Sequence, residues 1–354
     1  MKKNFLISTG GSGGHVTPAK ILHDHLIKEA NIIFSTDQRG LKYLDQDIYD
    51  FEIINTPKLN NLFFLPFNLL VVLYLTIKSL FLLKKEKIEK VFSTGGYMSL
   101  PLILAARIMK KKIYLVEPNH ILGRANKFFL RSCKKIFCYS KAVKKFPDNL
   151  KDRIVTIYPL VKKHVYDLKL HNQNKKNFTI LIVGGSQGAD IFDKNLKKSI
   201  ANISRNMSIQ IIQQTNEKNI LNLKEFYSKN RIENRIFSFE KNLTSIIQEA
   251  DLCITRAGAS TLAELSILNL PFIAVPLPTS KDNHQYENAS FYEKNDCCWI
   301  IDQKSFEEKI EDLLKNILID RSAFFRKKEN LKKLNYQNTW NNVNQKIIES
   351  LNEN

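Results

Sequence analysis
Short apolar runs recur along the chain, and longer stretches with helical spacing of apolar residues separate them. The runs predict strands at 5–8, 32–35, 51–54, 91–93, 113–116 and 136–139, and again at 179–183, 209–213, 236–239, 252–255, 272–275 and 299–301. Strand and helix patterns that alternate in this way predict parallel sheets closed by crossover helices. Ligands of such sheets lie beyond the C-terminal ends of the strands. The first run leads into Gly10-Gly11-Ser12-Gly13-Gly14. Half a chain later, Ile180-Leu181-Ile182-Val183 leads into Gly184-Gly185-Ser186-Gln187-Gly188-Ala189. This echo predicts two similar doubly wound α/β domains facing a cleft. Pro159 and the polar run 171–177 put the boundary within 158–177. The expected division is 1–160 and 161–335, with a last helix from about 336 packing back on the first domain.

One stretch departs from the alternation. Residues 62–83 are almost wholly apolar, interrupted by Pro66, Asn68, Thr76 and Lys78, with Lys84-Lys85-Glu86-Lys87 behind them. A membrane-spanning helix needs about 20 apolar residues in succession. A true span would cut the first domain in two. Two readings stay open: a buried crossover helix, and a helix lying in a membrane interface with its lysines toward anionic head groups.

Length and composition bound the rest. A chain of 354 residues exceeds one ordinary core. The five cysteines have no zinc spacing and read as reduced thiols. The first strand starts too soon for the apolar core of a signal peptide. A net charge of +19 calls for anionic partners or reflects a lysine-rich composition. No nucleic-acid motif accompanies it, so a membrane surface or a phosphate-bearing substrate is expected rather than nucleic acid.

The candidate chemistry lies at the predicted strand ends. Gly10–Gly14 and the following helix make an anion cradle, because glycine admits close backbone approach and a helix start offers N–H groups and partial positive charge. His15 ends that loop, and a phosphate cradle alone does not need a histidine, the residue type suited to proton transfer. Gly95-Gly96-Tyr97 forms a second glycine turn. Ser186, Gln187 and Gly188 in the third suit a diphosphate. After the strand 252–255 come Arg256, Gly258, Ala259, Ser260 and then Glu264. Glu264 can hold both hydroxyls of a ribose or simply complement a helix dipole. His284, Gln285 and Asn288 supply the mixed donors and acceptors that sugar hydroxyls need. Glu117-Pro118-Asn119 ends a strand of the first half. Asp45-Gln46-Asp47 reads as a solvated turn, not a metal site.

Taken together and in order, Gly10–His15 with Pro18-Ala19, Gly95-Gly96-Tyr97, Glu117-x-Asn119, Gly184–Ala189, Arg256-x-Gly258-Ala259 with Glu264, and Asp282-Asn283-His284-Gln285 with Asn288-Ala289 resemble the MurG family. These are undecaprenyl-diphospho-muramoylpentapeptide N-acetylglucosaminyltransferases of the GT-B fold. The resemblance implies UDP-N-acetylglucosamine as donor, bound mainly to the second domain. Ser186, Gln187 and Gly188 would hold its diphosphate, Glu264 its ribose, and Phe239, Glu240 and Leu243 its uracil. His284, Gln285, Asn288 and Asn119 would hold the sugar, with Arg256, Gly258, Ala259 and Ser260 beside them. Ser12, Gly13 and Gly14 count among the donor contacts from the first domain. Lipid I is the implied acceptor, its diphosphate at Gly10, Gly11, Gly95, Gly96 and Tyr97. Phe63, Phe64, Phe67, Leu70, Leu73 and Tyr74 become the expected contact with the inner leaflet of the cytoplasmic membrane. His15 is the first candidate for the general base and Glu117 the second. No metal or other cofactor is expected. The chain departs from the family at Pro118, where the family often has Gln, and at Tyr158-Pro159-Leu160-Val161-Lys162, where it often has Asn-Pro-Val-Arg. Rival readings are another GT-B enzyme acting on a membrane lipid, a UDP-sugar epimerase of similar fold, and a non-catalytic binder driven by charge.

Overall fold
The computed structural model describes residues 2–59, 63–168, 177–185, 190–240 and 242–353. The chain divides into two units, Met1–Lys163 with Thr339–Asn354, and His164–Asn338. In the first unit β1 (Lys3–Ser8), α1 (Gly13–Leu26), β2 (Ala30–Thr36), β3 (Phe51–Ile53), α2 (Leu65–Lys85), β4 (Ile88–Ser93), α3 (Leu100–Ile108), β5 (Lys112–Glu117), α4 (Arg124–Phe129), β6 (Lys135–Cys138) and β7 (Ile154–Thr156) follow in order. The second unit runs β8 (Phe178–Val183), α5 (Asp190–Ser204), β9 (Ile209–Gln214), α6 (Ile220–Lys229), β10 (Glu233–Phe237), α7 (Leu243–Gln248), β11 (Leu252–Thr255), α8 (Ala259–Ile267), β12 (Phe272–Ala274), α9 (His284–Lys294), β13 (Cys298–Ile300), α10 (Phe306–Ile319) and α11 (Ser322–Leu334). Helix α12 (Trp340–Asn352) returns to the first.

Both sheets are parallel and wound in the same order, β3-β2-β1-β4-β5-β6-β7 and β10-β9-β8-β11-β12-β13. The order reverses between β1 and β4 in one and between β8 and β11 in the other. That reversal opens a crevice beyond the strand ends, where ligands of such sheets bind. The central strands are buried on both faces, so Phe178–Val183 carries no exposed position. Side chains of β1 alternate: Leu6 joins the core under α2 and α3, while Phe5 and Ile7 join the core under α1 and α12.

Three expectations shift. The strand at 236–239 lies earlier, at Glu233–Phe237, which leaves Phe239 outside the sheet and 79% exposed. Strand β7 was not foreseen, being a three-residue edge strand with half-buried positions. The last helix begins at Trp340, where the Thr339 side chain accepts the Asn342 amide at 3.2 Å. It docks on α1 through His25, whose ring stacks on Trp340 at 3.6 Å and whose Nδ1 bonds the Asn344 side chain at 3.2 Å. Lys90 donates to the carbonyl of Leu351 at 2.9 Å, a cation at the negative end of the helix dipole.

Helix α2 satisfies part of each reading of the apolar stretch. Val72, Leu75, Thr76, Ser79, Leu82 and Leu83 are buried against the unit, and the helix joins two strands of one sheet. It is nevertheless 21 residues long, and an 18-residue stretch of it has mean hydropathy 1.8, long and apolar enough by composition to cross a membrane. Its other face carries Phe67, Leu70, Leu73, Tyr74, Ile77 and Phe81, each 46–70% exposed, and Phe63 and Phe64 continue the patch. Leu62, at the start of the predicted stretch, lies outside the described residues. The five cysteines are buried thiols without disulfides.

Candidate active site
In the first unit, the loops after β1 and β4 are stitched together from below. Ser99 Oγ lies 3.0 Å from both Ser8 Oγ and Ser93 Oγ, and Thr94 Oγ1 donates to Thr9 Oγ1 at 2.9 Å, all buried. Gly95 and Gly96 turn with φ of +90° and +89°. A Cβ at Gly96 would stand 2.5 Å from the Met98 sulfur and displace that side chain, and the positive φ itself demands glycine. Ser12 caps α1 without a side-chain hydrogen bond, and the first amides of a helix have no intrahelical acceptor. The amides of Gly13 and Gly14 therefore remain available to an anion.

His15 sits half-buried on the first turn of α1, against this second loop. Its Nδ1 lies 2.8 Å from the Thr94 carbonyl. A carbonyl only accepts, so Nδ1 carries the hydrogen and Nε2 of the neutral ring is the basic atom. The ring packs beside Gly95 and Gly96: positions for their missing Cβ atoms fall 3.4 and 3.8 Å from its carbons.

Glu117, 2% exposed at the end of β5, has a different environment. Oε1 accepts from the amide of Asn119 at 3.2 Å and from its side chain at 3.0 Å. Oε2 accepts from the Gly123 amide at 2.8 Å and the Asn126 side chain at 3.0 Å. Two carboxylate oxygens offer about four lone-pair sites, and four donors fill them. That arrangement fixes the loop leading to α4 and presents Asn119; it leaves no lone pair for taking a substrate proton.

Asp37 and Arg39 were missed by sequence reading. Asp37, buried at the end of β2, accepts from the amides of Gly11 at 2.8 Å and Gly40 at 2.9 Å. Arg39 reaches its other oxygen through Nε at 2.9 Å and Nη2 at 2.6 Å. Burial alone would raise the Asp37 carboxyl; the Gly11 amide, the Arg39 guanidinium and the Gly40 amide together hold it below the ordinary range. An acidic residue closing the second strand is the signal that could have found it, since dinucleotide folds keep their ribose-binding acid there.

In the second unit, Gly184 and Gly185 end β8, and Ser186, Gln187 and Gly188 lie outside the described residues. Helix α8 opens at Ala259 with Gly258 as its cap and Ser260 in its first turn; Glu264 follows, half-buried. Gln285 Oε1 accepts the amides of Ala257 at 3.2 Å and Leu277 at 2.9 Å, which makes its Nε2 the end that can donate to a ligand. Asn288 donates to the carbonyl of Ala257 at 3.2 Å, so α9 grips the turn before α8. His284 starts α9, beside Gln285. Arg256 is turned into the protein. It donates to the carbonyls of Val275 at 3.0 Å and Pro276 at 3.4 Å and to Gln303 at 2.7 Å, and it lies 5.6 Å over the Phe192 ring. Phe239 projects outward, Glu240 accepts the Asn242 amide at 2.9 Å, and Leu243 begins α7. Beneath them Asp193, also missed, takes hydrogen bonds from Gln213, Thr215 and Asn219 at 2.8, 2.5 and 2.8 Å, tying α5 to the end of β9. Asp45-Gln46-Asp47 forms an exposed turn, and among the described residues no cluster of three or more His, Cys, Asp or Glu side chains is grouped to hold a metal.

Two doubly wound parallel sheets, each with a reversal of strand order at its centre, make up the GT-B architecture. Residues 5–138 match the glycosyltransferase family 28 N-terminal domain and 179–342 its C-terminal domain, and the chain belongs to that family. It is 47% identical, over all of both chains, to a UDP-N-acetylglucosamine–N-acetylmuramyl-(pentapeptide) pyrophosphoryl-undecaprenol N-acetylglucosamine transferase of Pelagibacter ubique. The same enzyme of Rickettsia felis is 36% identical over 91% of this chain and 94% of its own. The crystal structure of Acinetobacter baumannii MurG superposes with a TM-score of 0.78 at 23% identity over 99% of each chain, a likeness of fold.

Proposed function
We propose that this protein transfers N-acetylglucosamine from UDP-N-acetylglucosamine to the C4 hydroxyl of lipid I, undecaprenyl-diphospho-N-acetylmuramoyl-pentapeptide, forming lipid II with inversion from α to β. The full-length relatives carry this activity in their names. The observation that supports the reading in this chain is His15, whose Nδ1 is committed to Thr94 and whose Nε2 is thereby the ring atom open to act as base. The acceptor hydroxyl gives its proton to Nε2 while its oxygen attacks the anomeric carbon, and UDP departs on the opposite side. The saturated carboxylate of Glu117 supports giving the proton to His15 alone. Loop amides and helix starts would stabilise the departing diphosphate, with no metal required. Glu264 would hold the ribose, Ser186–Gly188 the diphosphate, and Gln285 the sugar through Nε2.

The acceptor's lipid supports a second element of the reading. A polyprenyl diphosphate stays in a membrane, and the apolar outer face of α2, followed by Lys84 and Lys85, suits an anionic inner leaflet. The protein is then peripheral, with α2 lying in the interface. The test is transfer of labelled N-acetylglucosamine to a lipid I analogue, with and without EDTA. Transfer in both samples is expected. No transfer would overturn the reading, and abolition by EDTA would overturn its metal-free mechanism.

A further inference from the structure
Asp37 and Arg39, from the loop after β2, and Tyr97, from the turn after β4, lie far apart in sequence yet form one chain of contacts. The Arg39 guanidinium is a fork: Nε and Nη2 hold one oxygen of Asp37, and Nη2 also donates to the Tyr97 hydroxyl at 2.6 Å. It lies 5.2 Å from the Tyr97 ring centre, close enough for a cation–π contact. The other oxygen of Asp37 holds the Gly11 and Gly40 amides. Thus one end of the chain grips the glycine loop after β1 and the other grips the glycine turn after β4. A Cβ at Gly11 would fall 3.7 Å from Nη2, so the guanidinium lies directly beside the loop. It also remains about half exposed, with its partner Asp37 buried.

We propose that Arg39 is a positioning residue for the acceptor: it locks the Gly10-Gly11 and Gly95-Gly96 turns in register and presents positive charge to the acceptor's diphosphate. The inference rests on the reading that the first unit binds a lipid-linked diphosphate. Its chemistry favours Arg over Lys, because only a planar fork can engage a carboxylate and a phenol while still facing an anion. The Tyr97 hydroxyl accepts from Nη2, so its own hydrogen can be donated to a ligand oxygen.

The test uses the full chain, labelled UDP-N-acetylglucosamine and a lipid I analogue, with KM for each substrate measured separately. Wild-type transfer establishes the underlying reading, and its absence sinks that reading without bearing on Arg39 alone. Given wild-type transfer, Arg39→Ala is expected to raise the acceptor KM about 10- to 100-fold while the donor KM stays within about twofold. Arg39→Lys should recover only a minor part. Tyr97→Phe removes one oxygen without endangering the fold and should raise the acceptor KM about threefold. An unchanged acceptor KM in Arg39→Ala and Tyr97→Phe, equal rises for both substrates, or full rescue by lysine would each overturn the proposal.

Discussion
After β1 the chain passes through Gly10–Gly14 to His15; after β8, its counterpart in an identical strand order, it passes through Gly184 and Gly185 to α5. The two units thus offer the same backbone opportunity and equip it differently. In the first, each of two buried carboxylates holds two backbone amides of the loops as well as side chains: Asp37 those of Gly11 and Gly40, Glu117 those of Asn119 and Gly123. They stiffen glycine loops that would otherwise be entropically costly to order. In the second, Asp193 holds side chains and ties α5 to the end of β9, while Arg256, just before α8, holds the carbonyls after β12. The described part of the second unit has no histidine at the place His15 occupies. The fold supplies the same strand-to-helix turn twice, and in the proposed function the side chains around it decide which copy carries the chemistry.

The largest blow to this contrast is His15→Ala. Losing a general base should lower kcat by about 10²- to 10⁴-fold and leave the donor KM near its wild-type value. Steady-state transfer with both substrates varied checks it, and a fall of less than about threefold would return the base to an open question.

Acid should also act unequally on the two units. His25 and His120, both in the first, are pushed down to about 4 by burial. Each stays neutral in the folded state, while the unfolded chain takes up a proton below about 6.5. Stability is therefore constant above pH 6.5 and falls as pH drops from 6.5 toward 4, by up to about 3 kcal/mol for each histidine. Urea unfolding at pH 7.5 and 5, followed by hydrogen exchange, should show protection lost first around α1 and α12. Earlier loss around β8 and β9 would contradict the assignment.

Glu264→Gln probes the other side. A lost charge-assisted hydrogen bond to ribose should raise the donor KM about 10-fold and spare the acceptor KM. The reverse pattern would exchange the roles of the units. The smallest effect on chemistry belongs to α2. Replacing exposed Phe67 and Leu70 by Ser should weaken binding to anionic vesicles about 10-fold or more in sedimentation, with kcat on a short-chain acceptor unchanged. Unaltered binding would remove α2 from the membrane contact.

Much of the fold was legible because buried parallel strands read as uninterrupted apolar runs, as 180–183 does. Strand β7 was not, because three half-buried edge residues leave no such run. Strand β10 was displaced in the reading because Phe239 looks like a strand residue, whereas only Ile236 is fully buried in the observed strand. At the candidate site, glycines and His15 announced themselves through local spacing. The four donors around Glu117 and the Asp37–Arg39–Tyr97 chain could not, since their partners come from separate loops that only the folded sheet brings together. Arg256 shows the same limit: nothing local reveals that its guanidinium is directed to Val275, Pro276 and Gln303.

The central claim is that the first unit performs the chemistry and the second retains the donor. Equilibrium titration of UDP-N-acetylglucosamine into His15→Ala, beside a transfer assay on the same sample, tests it most directly. The account predicts wild-type donor affinity together with the loss of transfer. Donor binding that falls in step with transfer would contradict it.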